Sequence, residues 1–364
     1  MKIYRSGFVL LLTVIMCLVA SVSVFAYHDV KMHEIDEYEY PVVPGTSEWN
    51  DLDTFTQRLA ACRIPQETLD AMTTEALVNA VKEFPFLGNI LIYENTEISY
   101  KNLVAQCDAL RELLTRPDGP NLLAEMYVSL TSAMKTKSSS DYETYGIGVL
   151  YPVFFEIILG QSEVYNGMDY RHQLSIELAS KRYNEGEYSY MDRTIENSEE
   201  NITRAISAPV TPNGNVVPYE DHTDYPQFTK AEKAAGNQYI QDTYTIISVV
   251  SDPNLYYNCH SYAWHSTSTS NVYWIPDPSL YMSDGSYSEQ SSGSSGDKVF
   301  YCNPGTEMSE ITGDILGDHS GIVVAGSGNS MIINSKWGVY GVYKHYIYNS
   351  AYSGNHTEYS FWDY

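Results

Sequence analysis

The sequence is poor in basic residues. Among its 364 residues it has 21 Lys and Arg against 46 Asp and Glu, which gives a formal net charge of −25. A charge of this sign repels nucleic acids and anionic membrane surfaces, and no basic patch offsets it. Nucleic acid is therefore excluded from the expected partners. Tyrosine is abundant at 33 residues, which is compatible with an extracellular protein that faces polymers or sugars.

Cysteine is also scarce, and its spacing argues against the common metal sites. The five cysteines form no Cys-x-x-Cys pair, and no His-x-x-x-His spacing occurs. A metal site built on Cys259, His260 and His265 is only a weak alternative. We therefore predict no metal site and no cofactor.

Four of the cysteines lie outside the predicted export signal: Cys62, Cys107, Cys259 and Cys302. In an exported chain they allow three disulfide pairings. Cys62 and Cys107 both fall in helical patterns, so a bridge between them stays open. A bridge between Cys259 and Cys302 is the main alternative to a reactive thiol at Cys259.

Residues 1–26 have the pattern of a secretory signal. Lys2 and Arg5 supply the positive start, residues 8–24 the apolar run, and Val24-Phe25-Ala26 a small-residue cleavage site. The pattern predicts a secreted protein, either free or associated with the cell wall, with no stable membrane span after processing. The alternative is a retained membrane anchor, although the apolar run is near the lower length limit for crossing a bilayer.

Residues 27–206 have the pattern of an all-α region. Apolar residues recur every three or four positions, and Ser, Thr and Pro mark the ends of the segments. Helices are predicted at 47–62, 65–72, 73–84, 103–114, 122–134, 172–183 and 196–206. The very apolar stretch 145–160 is predicted as a buried core helix. Nothing here has the spacing of a reaction site, so the expected role is packing, positioning or partner binding.

The pattern changes after residue 206. The turn-forming stretch 207–215 marks the clearest break, and residues 207–240 are assigned as a linker and lead-in. Strands are predicted at 243–250, 297–301, 319–325, 330–335 and 341–348, with a helix starting at Cys259. The polar segment 266–296 is predicted to be a wall or lid beside a substrate, or else a disordered insertion. The sequence therefore predicts an α+β protein in which a helical region precedes a compact domain, 241–364, with a cysteine helix packed on a small antiparallel sheet.

Cys259 and His319 are the candidate reactive pair. Cys259 follows the turn-forming Asp252-Pro253-Asn254 and opens a short apolar run. At a helix start the exposed backbone N–H groups and the helix dipole favour the thiolate. His319 stands at the mouth of an apolar strand, where an imidazole can serve as the base for a thiol. His260 and His345 are expected to be structural.

Three stretches resemble the CHAP and NlpC/P60 amidase–peptidase superfamily. Asn258-Cys259-His260-Ser261-Tyr262-Ala263 is similar to its cysteine motif, and Gly296-Asp297-Lys298-Val299-Phe300 to its Gly-Asp strand. Asp318-His319-Ser320-Gly321-Ile322-Val323 is similar to its histidine strand. The order and spacing agree over roughly residues 240–350.

This resemblance implies a papain-like fold with Cys259 as nucleophile and His319 as general base and later acid. It also implies a polar residue on the next strand that orients the imidazole. Asn334 and Ser335 are the candidates and point to opposite faces of that strand. Asn334 is preferred, because its side-chain carbonyl can accept from the imidazole N–H. The chain departs from the family at Ser335-Lys336-Trp337-Gly338, where the relatives carry His, Asn or Glu.

The helical region resembles a different module. Ala60-Ala61-Cys62-Arg63-Ile64-Pro65, Met72-Thr73-Thr74-Glu75-Ala76-Leu77 and Leu113-Leu114-Thr115-Arg116-Pro117-Asp118 are similar to a helical module of secreted Gram-positive bacterial proteins. The resemblance covers roughly residues 45–135. That module has no assigned activity, so it bears on localisation and not on function.

The expected function is hydrolysis of an amide bond, in cell-wall peptide or another extracellular amide, through a thioester on Cys259. Two alternatives stay open. One is a non-catalytic extracellular binding module of the same fold, with a misplaced Cys–His pair or a bridged Cys259. The other is a transamidase or deamidase that uses the same acyl-enzyme.

Overall fold

The structure is a computed structural model that describes residues 34–93, 96–135, 146–184, 208–225, 227–302, 319–353 and 358–364. The predicted signal at 1–26, the predicted helix at 196–206 and the proposed boundary at residue 206 lie outside these ranges. The described residues form an α+β protein, as predicted: helices come first, and a mainly antiparallel sheet follows.

Helices and two 3₁₀ segments make up most of residues 47–184 that the structure describes. The helices span Ser47–Asn50, Phe55–Ala61, Gln66–Ala71, Thr74–Lys82, Thr96–Gln106, Asp108–Leu113, Gly119–Lys135, Tyr151–Leu159, Ser162–Gly167 and Tyr170–Asn184. Single 3₁₀ segments lie at Leu87–Leu91 and Gly146–Leu150. Threonines begin three of the helices, because the hydroxyls of Thr46, Thr54 and Thr73 accept backbone N–H groups of the first turn.

Two predicted helices are each divided in two. The segment predicted as 47–62 breaks at Thr54, whose extended backbone and capping box with Gln57 start a second helix. The segment predicted as 103–114 breaks at Cys107, which also has an extended backbone. The single-helix predictions were wrong there, because periodic apolar residues on both sides of a break still face one core.

The apolar stretch 145–160 is a core element as predicted. Tyr151–Leu159 is helical and buried from Pro152 to Leu159. Pro152 fits because the first turn of a helix needs no backbone donor at that position. The preceding Gly146–Leu150 is a 3₁₀ turn and not part of the α-helix.

Three helices were not predicted: Ser162–Gly167, Lys230–Thr243 and Ser279–Ser283. Lys230–Thr243 lies within the predicted linker and lead-in, and Thr229 and Glu232 form a capping box at its start. It buries Tyr239 and Ile240 between the helical region and the sheet. Its composition is too polar for a clear apolar stripe, so only the capping residues signalled it.

Seven strands form one antiparallel sheet. In chain order they are β2 (Ile246–Ser251), β4 (Ser288–Gln290), β5 (Lys298–Cys302), β6 (His319–Ala325), β7 (Ile332–Lys336), β8 (Val342–Tyr346) and β9 (Glu358–Asp363). Their spatial order is β2-β8-β7-β6-β5-β9-β4. A separate two-stranded sheet pairs β1 (Glu220–Asp221) with β3 (Tyr273–Trp274). The predicted strands at 297–301, 319–325, 330–335 and 341–348 are confirmed within two residues, and β2 begins three residues after the predicted start of its strand.

The sheet is covered on both faces. Phe300 and Trp362 cluster with Ala263 and Trp264 of the cysteine helix, which we define as residues 259–265; we call this the cysteine-helix face. Neighbours in the strands point the other way. Val299, Tyr301, Val323 and Ile333 belong to the large core that also contains the helical region; we call this the helical-region face.

The helical region and the sheet share that core through specific polar contacts. The Asn89 side-chain oxygen accepts from the hydroxyls of Tyr239 (3.0 Å) and Tyr244 (2.7 Å). The Tyr352 hydroxyl donates to the Ile92 carbonyl at 2.7 Å. These bonds satisfy buried acceptors of the 3₁₀ segment Leu87–Leu91 and of Ile92, which follows it, so the helical region and the sheet side of the chain share one core.

The segment 266–296 is built into the sheet side of the molecule. It contains β3, the helix Ser279–Ser283 and β4, and Tyr281 and Tyr287 pack against Trp264. The Asp284 carboxylate accepts from Thr211 and Asn215, which joins this segment to residues 208–215. Among the described residues no helix is both long and apolar enough to cross a membrane.

Candidate functional site around Cys259

Cys259 is the first residue of the cysteine helix. The Asn258 side chain caps this helix, because its Oδ1 accepts the Ser261 backbone N–H at 2.9 Å. The same side chain holds the next segment, with Oδ1 accepting from Ile275 N–H (3.2 Å) and Nδ2 donating to Ile275 O (2.6 Å). Cys259 carries a thiol and not a disulfide, and its residue surface is 2% exposed. The predicted placement of Cys259 at a helix start is confirmed.

A buried lysine fixes the turn that leads to Cys259. The Lys336 ammonium donates to the Asn254 carbonyl (3.1 Å) and the Gly338 carbonyl (2.6 Å), and it lies 5.4 Å from the centre of the Tyr257 ring. Carbonyl oxygens and an aromatic face both stabilise a cation. Lys336 therefore ties the turn at 254–257 to β7.

The cysteine helix is wound more widely than an α-helix over Ser261–His265. The Ser266 N–H donates to the Ser261 carbonyl five residues back, at 2.9 Å. His260 and Trp264 both reach the same atom of the sheet: Ser320 Oγ lies 2.8 Å from His260 Nδ1 and accepts from Trp264 Nε1 at 2.9 Å. Burial lowers the pKa of His260 to about 3, so its imidazole is neutral at physiological pH.

His319 lies on the other side of the sheet. Ser320 faces the cysteine helix, and successive residues of a strand point to opposite faces. The His319 ring accordingly stacks on Tyr352, with centroids 3.6 Å apart, and meets the edge of Tyr301 at 5.2 Å. The residue is fully buried. The structure therefore places His319 on the helical-region face, whereas Cys259 is on the helix that covers the opposite face.

Asn334 and Ser335 are also separated by the sheet. Asn334 shares the face of the cysteine helix, where its side chain is hydrogen-bonded to Tyr262; burial raises the Tyr262 pKa and this bond opposes the rise. Ser335 points to the helical-region face, where its Oγ lies 2.7 Å from His345 Nε2 and accepts from Trp337 Nε1 at 2.9 Å. Of the two candidates, only Asn334 lies on the same face of the sheet as the cysteine helix. His319 lies on the opposite face, so Asn334 does not orient its imidazole in this arrangement.

Ser320 and Tyr262 were missed by the sequence analysis. Both lie inside the quoted motifs, yet the sequence gives no sign that Ser320 and not His319 faces the helix. Alternation of polar and apolar residues reveals a strand's faces only when one of them is exposed. In β6 the residues His319, Ser320 and Gly321 are all buried.

Among the residues that the structure describes, no metal-binding cluster includes Cys259, and the cavity next described lies away from it. Within the part of the chain that the structure describes, no three His, Cys, Asp or Glu side chains are grouped to hold a metal ion. A cavity of about 490 Å³ opens between Phe84–Gly88, Tyr151 and the helix Lys230–Thr243, and Cys259, His319 and Asn334 do not line it.

Comparison with known proteins assigns no family. No protein-family model, no curated protein and no solved structure matches the chain.

Proposed function

We propose that the chain is a secreted cysteine amidase or peptidase that hydrolyses an amide bond, in cell-wall peptide, with Cys259 as the nucleophile. The observation that carries the proposal is the position of Cys259 at the first residue of a capped helix. Backbone N–H groups at such a position favour the thiolate over the thiol. The secretory pattern at residues 1–26 supports export, and the resemblance of the three motifs supports the reaction class.

The proposed mechanism is acyl transfer. His319 takes the proton of the Cys259 thiol, the thiolate attacks the amide carbonyl, and the oxyanion forms beside the Cys259 backbone N–H at the helix start. His319 donates a proton to the leaving amine, which departs as the thioester forms. Water, deprotonated by His319, then attacks the thioester and regenerates the thiol.

This mechanism requires a rearrangement at the start of β6. In the present arrangement the His319 ring stacks on Tyr352 on the helical-region face. To serve Cys259, the imidazole has to leave that stack and turn to the cysteine-helix face. His319 is the first residue of β6, so the change involves the end of the strand and not its centre.

A non-catalytic binding module of the same fold is the second candidate. The observation that favours it is the position of His319, because a base on the far face of a sheet cannot take a proton from Cys259. In this alternative Cys259 is a buried structural thiol, and the extracellular amide or wall polymer is bound but not cleaved.

Thiol alkylation separates the two candidates. Unreduced full-length protein is treated with iodoacetamide between pH 5 and pH 9, and the labelled peptides are mapped. If the protein is a hydrolase, iodoacetamide should label Cys259 well below the pH at which an ordinary thiol reacts. This labelling at low pH should be lost in His319→Ala and retained in the matched variant His265→Ala. Cys62 and Cys107 should stay unlabelled, because burial raises the pKa of each thiol to about 12.

Labelling of Cys259 that does not depend on His319 would falsify the proposed Cys–His pair and leave the binding module. Because His319 is buried, circular dichroism of His319→Ala and His319→Gln has to show a folded protein first. Peptidoglycan fragments are then the substrates to test, with Cys259→Ser as the inactive control.

A further inference from the structure

The helical region contains two buried thiols, each beside the end of a helix. Cys62 ends the helix Phe55–Ala61, and Cys107 directly precedes the helix Asp108–Leu113. Their residue surfaces are 2% and 0% exposed, and both are thiols in the structure. Neither takes part in the site around Cys259.

The chain next to each cysteine is joined to the chain next to the other. Asp108 Oδ2 accepts the Ile64 backbone N–H at 3.0 Å, and Asp108 Oδ1 accepts from the Arg63 guanidinium at 2.8 Å. The two residues that follow Cys62 are therefore bonded to the residue that follows Cys107. This places the ends of two helices, and the cysteines at them, in one small buried region.

Both thiols contribute to the raised pKa of a nearby tyrosine, Tyr40. Burial raises the Tyr40 pKa, and the nearby Cys107 and Cys62 add to the rise. Burial also raises the pKa of Tyr38, with further contributions from Cys62 and Asp108. After burial, Cys107 is also the next contribution to the raised pKa of the Cys62 thiol, which agrees with the hydrogen bonds that join the two chain segments.

We propose that Cys62 and Cys107 are an oxidisable pair that closes to a disulfide when the chain folds in contact with a disulfide oxidant. The oxidant is a small-molecule or protein disulfide. One cysteine thiolate attacks it, forms a mixed disulfide and releases one thiol; the second cysteine attacks the mixed disulfide and releases the other thiol. Two cysteine thiols thus lose two protons and two electrons, and the oxidant is reduced to two thiols.

The burial of the pair fixes when the bond can form. In the folded protein the thiolate of either cysteine is rare, since burial raises both pKa values to about 12, and no oxidant reaches the sulfur atoms. Closure therefore belongs to folding, when both thiols are still accessible. The inference is independent of the proposed hydrolase, because neither cysteine contributes to it.

The experiment compares two samples of the full chain. One is refolded with reduced and oxidised glutathione at pH 8, and the other is refolded reduced and then exposed to the same buffer. Both are denatured in acid, alkylated without reductant and mapped by mass spectrometry. We expect the first sample to contain a Cys62–Cys107 cross-linked peptide, about 2 Da lighter than the two thiol peptides together. The second sample should have both cysteines alkylated.

Closure should also raise the thermal stability. A bridge across this loop restricts the unfolded chain, and for a protein of this size we expect a rise in Tm of about 5 °C. Cys62→Ala and Cys107→Ala should each abolish the rise and make the remaining cysteine alkylatable, whereas Cys302→Ala should retain it. Alkylation of both Cys62 and Cys107 after oxidative refolding, or a cross-link from either to another cysteine, overturns the inference. The wild-type peptide map decides the matter even if a variant does not fold.

Discussion

Each face of the seven-stranded sheet has a buried serine that is hydrogen-bonded to a tryptophan and a histidine. Only the group on the cysteine-helix face adjoins Cys259. On the cysteine-helix face, Ser320 lies between the Trp264 indole and the His260 imidazole. On the helical-region face, Ser335 lies between Trp337 and His345. In each, the indole N–H donates to a serine oxygen whose hydroxyl hydrogen is available to the imidazole.

In the group around Ser335, the hydrogen bonds determine which atom is the donor and which the acceptor. His345 Nδ1 lies 2.8 Å from the Tyr346 carbonyl, so Nδ1 carries the proton and Nε2 accepts the Ser335 hydroxyl. All three side chains are buried, and no substrate can reach them. A hydrogen-bonded serine–histidine pair is therefore a brace of the core here. A hydrogen-bonded pair of reactive residue types indicates chemistry only where a substrate has access to it.

The largest predicted loss of stability comes from a substitution on the helical-region face, at Gly338. Gly338 has φ +50°, and a Cβ there would lie 2.3 Å from the Ile92 carbonyl oxygen and 2.4 Å from that of Leu91. Gly338→Ala should lower the free energy of unfolding by more than about 4 kcal/mol, because backbone atoms cannot move aside as a side chain can.

Gly45→Ala is the matched control for this substitution. Gly45 also has a positive φ, of 88°, but nothing lies within 4 Å of its Cβ position, so a loss of only about 1 kcal/mol is expected. Urea denaturation of both variants measures the difference. Equal losses would mean that the contact between the helical region and the sheet is not tight at Gly338.

Acid should lower the free energy of unfolding through a buried histidine on each face of the sheet. Burial lowers the pKa of His260 to about 3 and that of His345 to about 4, against an ordinary value near 6.5. Above that value both residues are neutral in the folded and unfolded states, so they contribute no pH dependence. As the pH falls from 6.5 to 4, the unfolded chain binds protons that the folded protein excludes. The free energy of unfolding should then fall by about 1.4 kcal/mol per pH unit for each histidine.

Urea denaturation at pH 7, 6, 5 and 4.5 measures this slope. His260→Gln and His345→Gln should each remove about half of the pH dependence of stability that the two histidines cause together. His172→Gln is the control with the opposite sign. Although desolvation lowers the pKa of His172, its bonds to Asp169 and Glu125 raise it overall, so His172 stabilises the fold at low pH and loses that effect as the pH rises. An unchanged slope in both core variants would show that the two histidines are not buried as neutral groups.

The smallest predicted effect is the loss of one serine hydroxyl on either face, and the two losses should differ in their effect on the reactivity of Cys259. Ser320→Ala and Ser335→Ala each leave a buried indole N–H and a buried imidazole nitrogen without a partner, so each should cost about 2 kcal/mol of unfolding free energy. Only Ser320→Ala disturbs the cysteine helix, and only this variant should change the rate at which iodoacetamide labels Cys259. Ser268→Ala, at an exposed turn, controls for the loss of a hydroxyl. The same labelling rate in both core variants would remove the distinction between the faces.

Local chemistry made much of the architecture predictable. Capping residues and proline breaks predicted the starts of the helices Ser47–Asn50, Gln66–Ala71 and Thr74–Lys82, and apolar, β-branched runs predicted the strands β5 to β8, because these signals act within a few residues. They failed where a break carried no such residue, at Cys107, and where a helix had a polar composition, at Lys230–Thr243. The start of the cysteine helix was also predicted, from the turn-forming Asp252-Pro253-Asn254 and the apolar run that Cys259 opens.

The sequence by itself determined the α+β order of elements and the position of Cys259 at a helix start. Only the tertiary structure decided which residue of β6 faces that helix. Both faces of the strand are buried, so no contrast of polarity along the sequence distinguishes His319 from Ser320. A shift of one residue in a strand reverses its faces, and that choice was made by the stacking of Tyr352 on one side and the packing of Trp264 on the other.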